Sequence, residues 1–496
     1  MQKYWIWVAV IFVLTFGLRL FLAFQTQFFD IDEGYFAIRQ LEHIQDTGKP
    51  LFQDELSYSG RSFKFLPAYY MILGFLSAQF PLTLFGKILP NFFASFATLA
   101  MALVATRLTS RPWIIIFSSL CAGTVPIFRS LTINSLNATT LIVPFFLLLL
   151  YFFLSLNQRF FVFLYLVTLV LSLFLSPLFL LFVLGLLFYL ALSFVEHLTI
   201  ERAEVELILF SLFFTLLGTF WLFRDVLVYH GATVLWQNIP TRILSNTFCS
   251  VSVLDAVTSI GLIPFILGIF GVYRYAFREK RKDSYLLIGL AASLTILLWL
   301  RLLPFTTALL FLSFILIALS AKTLDLFDAY LDRTRFSHHR HLFIAGFFLA
   351  AVLTLIIPGA ILSPQNNVLT DPEYRALQFI SEKSGLTDVV LASPVEGNLI
   401  TALAHRLNVL DDQFLFIKHA NERYDDVETI FQTRYQIEAI RLLNKYYVDY
   451  IYFSPRTKQR YGINELPFTQ SKCFLKVYDD VVQIWKSECF IRGVRP

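Results

Sequence analysis

The sequence predicts a polytopic α-helical membrane protein with about 11 transmembrane helices and a C-terminal α/β soluble domain. Three observations predict it. The 496 residues are 57% hydrophobic and only 15% charged, too little charge to cover a water-facing surface. Apolar runs recur at the length of about 20 residues that crosses a hydrocarbon core, and only a helix pairs the backbone of such a run internally. Beyond residue 362 the pattern changes to short alternating helices and strands.

The first run, Tyr4 to Phe24, follows Lys3 and lacks a small-residue cleavage site, so it reads as a retained helix and not a signal peptide. Further spans are expected over 88–106, 113–129, 137–156, 160–176, 178–195, 205–223, 255–277, 284–301, 304–322 and 342–361. The stretch 65–80 is apolar but short, and the positive-inside rule arbitrates. If it lies along the interface, Arg107 and Arg111, the cluster Arg278 to Lys282 and the cluster Arg333 to Arg340 all share the cytoplasmic side with Lys3. Residues 1–362 then form the membrane domain, with the first loop, 25–64, outside. Residues 363–496 form an extracytoplasmic domain of a multi-pass protein of the cell membrane. Within that domain helices are expected at 372–384, 397–406, 425–432 and 434–446, and strands at 388–393, 407–411, 449–453, 473–478 and 481–487.

The net charge of +5 comes from clustered Lys and Arg, which reads as topology and gives no nucleic-acid footprint. Four cysteines without a C-x-x-C or a Cys/His spacing argue against a structural zinc site. Cys473 and Cys489 flank a hairpin around Asp479 and Asp480, and a disulfide between them requires an oxidising compartment.

The candidate chemistry lies in the first loop, which opens Phe29-Asp30-Ile31-Asp32-Glu33-Gly34-Tyr35-Phe36-Ala37. Ala37, Ile38, Leu41 and Ile44 then form an apolar stripe suited to a helix on the membrane surface. Asp30 or Asp32 near its start reads in two ways: as a helix cap, or as a carboxylate kept ionised by the helix end, able to act as a base or hold a cation. The loop closes on Arg61-Ser62-Phe63-Lys64-Phe65-Leu66-Pro67. These cations are either snorkelling anchors or ligands for a lipid-borne phosphate. Arg129 and Arg301, at other external helix ends, can join them. The turn 224–255, with Trp236, Gln237, Asn238 and Arg242, reads as an ordinary connection or a cover over a substrate groove.

The order of a membrane helix, Asp32-Glu33-Gly34-Tyr35-Phe36-Ala37, an amphipathic helix, Gly48-Lys49-Pro50-Leu51 and Lys64-Phe65-Leu66-Pro67-Ala68-Tyr69-Tyr70 resembles the GT-C membrane glycosyltransferases. The branch it resembles is that of protein mannosyltransferases and lipid A aminoarabinose transferases. The resemblance implies a hexosyl or pentosyl transferase in which Asp32 takes the principal acidic role, Glu33 supports it and Lys64 faces the carrier phosphate; by residue chemistry and position Asp30 joins the acids, and Arg61 and Arg129 the phosphate-binding cations. It also implies a polyprenyl (dolichyl or undecaprenyl) phosphate donor and a protein or a lipid or glycan acceptor; attack on the anomeric carbon opposite the phosphate would invert its configuration. Two departures stand out: Phe65 and Leu66 precede Pro67, and Asn134-Ser135-Leu136-Asn137 replaces a second acidic element. A divalent cation is therefore left open as a cofactor. The segment Val390 to Ile400 with Arg406 to Asp411 is similar to external domains of archaeal GT-C proteins but has no Trp-Trp-Asp. A lipid-linked sugar flippase and an oligosaccharyltransferase-like enzyme are the alternatives. Charges at helix ends and the absence of a repeat weigh against the first.

Overall fold

A computed structural model describes residues 4–31, 33–78, 80–235, 240, 252–357, 368–469 and 472–489. Asp32 and the four residues singled out in the turn 224–255 lie outside them.

Among the described residues, helices lie over the expected spans, two of which are broken into bent pairs. α1 (Tyr4–Ala23) leads into the first loop, which holds α2 (Glu33–Thr47), a two-stranded ribbon of β1 (Gln53–Asp54) and β2 (Arg61–Ser62), and α3 (Ala68–Ser77). The ten residues of α3 rise about 15 Å, half of a hydrocarbon core. α4 (Leu82–Leu108) begins earlier than its hydropathy suggests, because Pro81 precedes its first turn and buried Lys87 and Asn91 are polar residues inside the helix. α5 (Pro112–Thr124) and α6 (Pro126–Thr132) were expected as one span, but they meet at a 40° bend where Pro126 removes a backbone donor. α7 (Thr139–Phe153), α8 (Arg159–Leu175), α9 (Phe179–Val195) and α10 (Arg202–His230) follow.

The span expected over 255–277 is likewise two helices, α11 (Val253–Ile260) and α12 (Leu262–Phe277), bent by 100° at Gly261. Gly261 has φ of 99°, and a Cβ there would lie 2.0 Å from Leu355, so no larger residue fits this corner. α13 (Lys282–Trp299), α14 (Phe305–Asp332) and α15 (Arg340–Ala351), which continues as a π-helical turn over Val352–Ile356, complete the bundle. α14 is its axis: its most apolar window is 89% buried, against 22% for α10, whose Phe213 and Trp221 are exposed. Among the described residues, five helices are long and apolar enough to cross a membrane, or up to seven if each bent pair is one span.

Beyond the bundle stand α16 (Asp371–Lys383), β3 (Val389–Leu391), β4 (Leu407–Asn408), α17 (Ala420–Gln432), α18 (Gln436–Lys445), β5 (Val448–Phe453), α19 (Pro455–Tyr461), β6 (Phe474–Asp479) and β7 (Gln483–Ser487). The sheet order is β4-β3-β5-β7-β6, with β4, β3 and β5 parallel and β7 and β6 antiparallel to their neighbours. Parallel pairing requires crossover connections, supplied here by the turns at 397–404 and by α17 and α18. The helix expected over 397–406 is a short α turn followed by a π turn, and α19 was not expected. Cys473 and Cys489 are disulfide-bonded across the ends of the β6–β7 hairpin.

Candidate functional site

The end of α1 is held by one lysine. Lys87 Nζ, in the first turns of α4, donates to Ala23 O at 2.7 Å and to the carbonyls of Thr26 and Phe28. These carbonyls lie at and beyond a helix C-terminus, where orphan acceptors favour a cation. The chain then turns outward through Asp30, whose N–H donates to Asn134 O at 2.8 Å. The element Asn134 to Asn137, which stands in place of a second acid, therefore packs on the acidic segment. Asn134 Oδ1 is buried without a hydrogen-bond partner.

Glu33 begins α2, at the helix N-terminus, where the dipole favours negative charge. One turn on, Phe36 meets Phe63, Phe65 and Tyr70 with ring centroids 5.2, 5.7 and 5.9 Å away. Tyr70 lies within electrostatic reach of both Glu33 and Asp412. This aromatic cluster joins α2 to a groove of 860 Å³ bounded by the segment 52–67, the end of α10 and the loop before α17. Its polar lining includes Arg61, Lys64, Lys418 and Arg423 against a single carboxylate, Asp225.

The candidate cations differ in how far they are committed. Lys64 faces Asp225 at 3.5 Å, and Asp225 is 63% exposed, so this pair contributes about 0–1 kcal/mol. Arg61 is buried, paired to Asp411 at 3.2 Å, donates to Gln413 O and packs over Phe63 at 3.8 Å. Arg129 does not reach the groove. It is buried in α6, where Nη2 donates to Leu355 O at 2.5 Å and Nε and Nη1 have no partner. Its charged neighbour is Arg19 of α1, buried among Asn91, Thr132 and the Phe128 ring. A lone arginine inside an apolar run was the available signal for Arg19, and sequence reasoning passed over it. Arg301 occupies the turn after α13 with φ of 57°.

The outer sheet fixes the groove's rim. Asp411, just past the C-terminal end of β4, accepts from Ser57 Oγ at 2.6 Å, while Tyr58 donates through N–H to Asn408 Oδ1 and through O–H to Asp411 O, both at 2.8 Å. Burial pushes the Tyr58 phenol well above its usual range, so it stays a donor. Gly397 makes this packing possible, since a Cβ there would meet Leu410 O at 2.1 Å. Its φ is −59°, so close approach explains the glycine and turn formation does not. The crevice at the carboxyl ends of parallel strands often takes a ligand; here it takes the chain's own first loop. On the other side His230, ending α10, accepts from Phe416 N at 2.9 Å.

No protein-family model and no curated protein matches this sequence. Solved structures do. The archaeal oligosaccharyltransferase AglB from Archaeoglobus fulgidus, in complex with an inhibitory peptide and a dolichol-phosphate, superposes with a TM-score of 0.64 at 15% identity, over 91% of this chain and 69% of that one. ArnT from Cupriavidus metallidurans, bound to undecaprenyl phosphate, gives 0.56 at 11% identity over 100% of both chains. The arabinofuranosyltransferase AftD from Mycobacteria gives 0.54 at 12% identity, over 99% of this chain and 40% of that one. The chain thus has the polytopic fold of the GT-C membrane glycosyltransferases.

Proposed function

We propose that the chain is an integral membrane glycosyltransferase that moves a sugar from a polyprenyl-phosphate carrier to an acceptor hydroxyl on the external face, with inversion. The observation that carries this reading is the groove, lined by Lys64 and by Phe63 and Phe65, whose rings pack on Phe36 of α2, one turn after Glu33. The fold supports it: solved counterparts hold dolichol-phosphate and undecaprenyl phosphate.

A carrier phosphate is a good leaving group, so the protonating acid of a glycosidase is dispensable. One base suffices, and Asp32, flanked by Asp30 and Glu33, takes that role by removing the acceptor proton as the hydroxyl attacks the anomeric carbon. Lys64 stabilises the charge growing on the departing phosphate. The magnitudes favour this exchange, because a charge-assisted hydrogen bond contributes about 1.5–3 kcal/mol, more than the exposed pair with Asp225. Arg61 adds positive field from its ion pair, while Arg129, buried in α6 and absent from the groove's lining, is left out of this step.

One solved counterpart is a complex with Zn and sulfate. Among the described residues no group of three His, Cys, Asp or Glu side chains is placed to hold a metal ion. The donors that fit a divalent cation are oxygens: Asp30, Glu33 and the unpartnered Asn134 Oδ1, a set suited to a hard ion. Such an ion would neutralise phosphate charge.

A second reading, transfer to asparagine, comes from the archaeal oligosaccharyltransferase counterpart, which has been solved with an acceptor peptide containing the NVT sequon. Purified protein given a polyprenyl-phosphate sugar and either a hydroxyl or an asparagine acceptor separates the two. Sugar on the hydroxyl acceptor supports the proposal, and sugar on asparagine alone replaces it with the second reading.

A further inference from the structure

At the end of the bundle opposite the first loop lies a two-part cleft that the proposed transfer does not use. The polarity of the bundle follows from α4, which meets the end of α1 through Lys87 and, 22 residues later, meets α14 through Thr109 Oγ1, a donor to Asp325 Oδ1 at 2.6 Å. The C-terminal ends of α12 and α14 share that far end, where Tyr275 O–H donates to Lys322 O at 3.2 Å. Between them opens a cavity of 980 Å³ with apolar walls, among them Leu267, Phe270 and Phe347, and a rim of Arg274, Lys280, Arg281 and Arg333. A second cavity of 740 Å³ adjoins it across Phe347 and is apolar except for His339, running along α15 past Phe343 and Gly346 to Ile263 of α12.

The rim cations are not equivalent. Arg274 is answered by Glu279 at 2.7 Å, and Lys280 by Glu196. Arg281 and Arg333 are exposed and form no ion pair among the described residues. The cleft therefore offers two uncommitted guanidinium groups at one end and a slot for hydrocarbon at the other. A guanidinium matches phosphate oxygens with paired donors, and basic pockets between membrane helices take anionic head groups.

We propose that this cleft binds an anionic phospholipid of the surrounding bilayer, its phosphate against Arg281 and Arg333 and an acyl chain along Phe347 and Gly346. A polyprenyl phosphate shares this chemistry, but the proposed reaction needs its phosphate at the other end of the bundle. Bilayer phospholipid is the occupant that charge complementarity selects.

The test uses full-length protein in an uncharged detergent, titrated with phosphatidylglycerol, phosphatidylcholine or undecaprenyl phosphate, with bound lipid read by native mass spectrometry. Phosphatidylglycerol should bind at least about tenfold more tightly than phosphatidylcholine, and Arg281→Gln with Arg333→Gln should abolish the preference, about tenfold per lost cation. Gly346→Phe supplies a control that leaves the charges in place: a Cβ at Gly346 meets nothing within 4 Å, so the ring fills the slot and should weaken phosphatidylglycerol too. Unchanged lipid-free melting shows that each variant is folded. Equal binding of the two phospholipids, or a preference that survives the double variant, overturns the proposal. Tight binding of undecaprenyl phosphate alone overturns it as well and gives the cleft to the carrier.

Discussion

At the scale of single residues, the account separates cations that act from cations that hold. Lys64 has a weak, exposed partner, whereas Arg61 has a buried one. Lys64→Gln should therefore weaken use of the charged donor by roughly 1.5–3 kcal/mol, while Asp225→Asn, which frees the lysine, should leave donor use equal or improved. Donor titrations of the two variants check this; matched losses in both would make the pair a structural contact. Asp32→Asn keeps the side chain's shape and removes its basicity, so turnover should fall by at least about 100-fold with the fold intact. Near-normal turnover would move the base role to Asp30 or Glu33.

At the scale of elements, the first loop and the outer sheet form one unit through Asp411. It accepts from Ser57 and Gln413 N and pairs with Arg61. Asp411→Ala strands a buried guanidinium, a loss of about 3–5 kcal/mol, and should expose residues 51–62 to protease while lowering the melting temperature. A second buried acid, Glu396, accepts from Ser393 and Thr457 at 2.6 and 2.7 Å, and burial pushes its carboxyl above the usual range. Its folded form thus holds the proton more tightly than its unfolded form. Stability from this group is fullest below the unfolded value, about 4.3, and declines as pH rises through the raised folded value. Glu396→Gln should gain on wild type in melting experiments as pH rises from about 4 to 8; a constant difference would contradict the assignment. The helices over the expected spans were legible because hydrocarbon leaves the backbone no alternative. The break at Gly261 was not, since it depends on Leu355 packing against the corner; that at Val125 follows from Pro126, which a continuous apolar run hides. The start of α2 at Glu33 was also legible, from the apolar stripe that follows it. The latch role of Arg61 was not, because Asp411 lies far along the chain and becomes its partner only after the sheet forms.

At the scale of the whole molecule, the account requires an odd number of crossings, with the outer sheet on the side of the first loop. Arg278→Cys and Glu465→Cys, made with Cys121 and Cys249 replaced and the Cys473–Cys489 disulfide kept, should label from opposite sides: Glu465→Cys in intact cells and Arg278→Cys after permeabilisation. The reverse order would detach the sheet from the reaction. The measurement that reaches the central claim is made in sealed proteoliposomes loaded with a polyprenyl-phosphate sugar and a hydroxyl acceptor, following sugar transfer and carrier translocation together. The account predicts acceptor-dependent transfer with inverted anomeric configuration and release of polyprenyl phosphate, lost in Asp32→Asn. Translocation of intact donor without transfer would contradict it and leave a lipid-linked sugar flippase in its place.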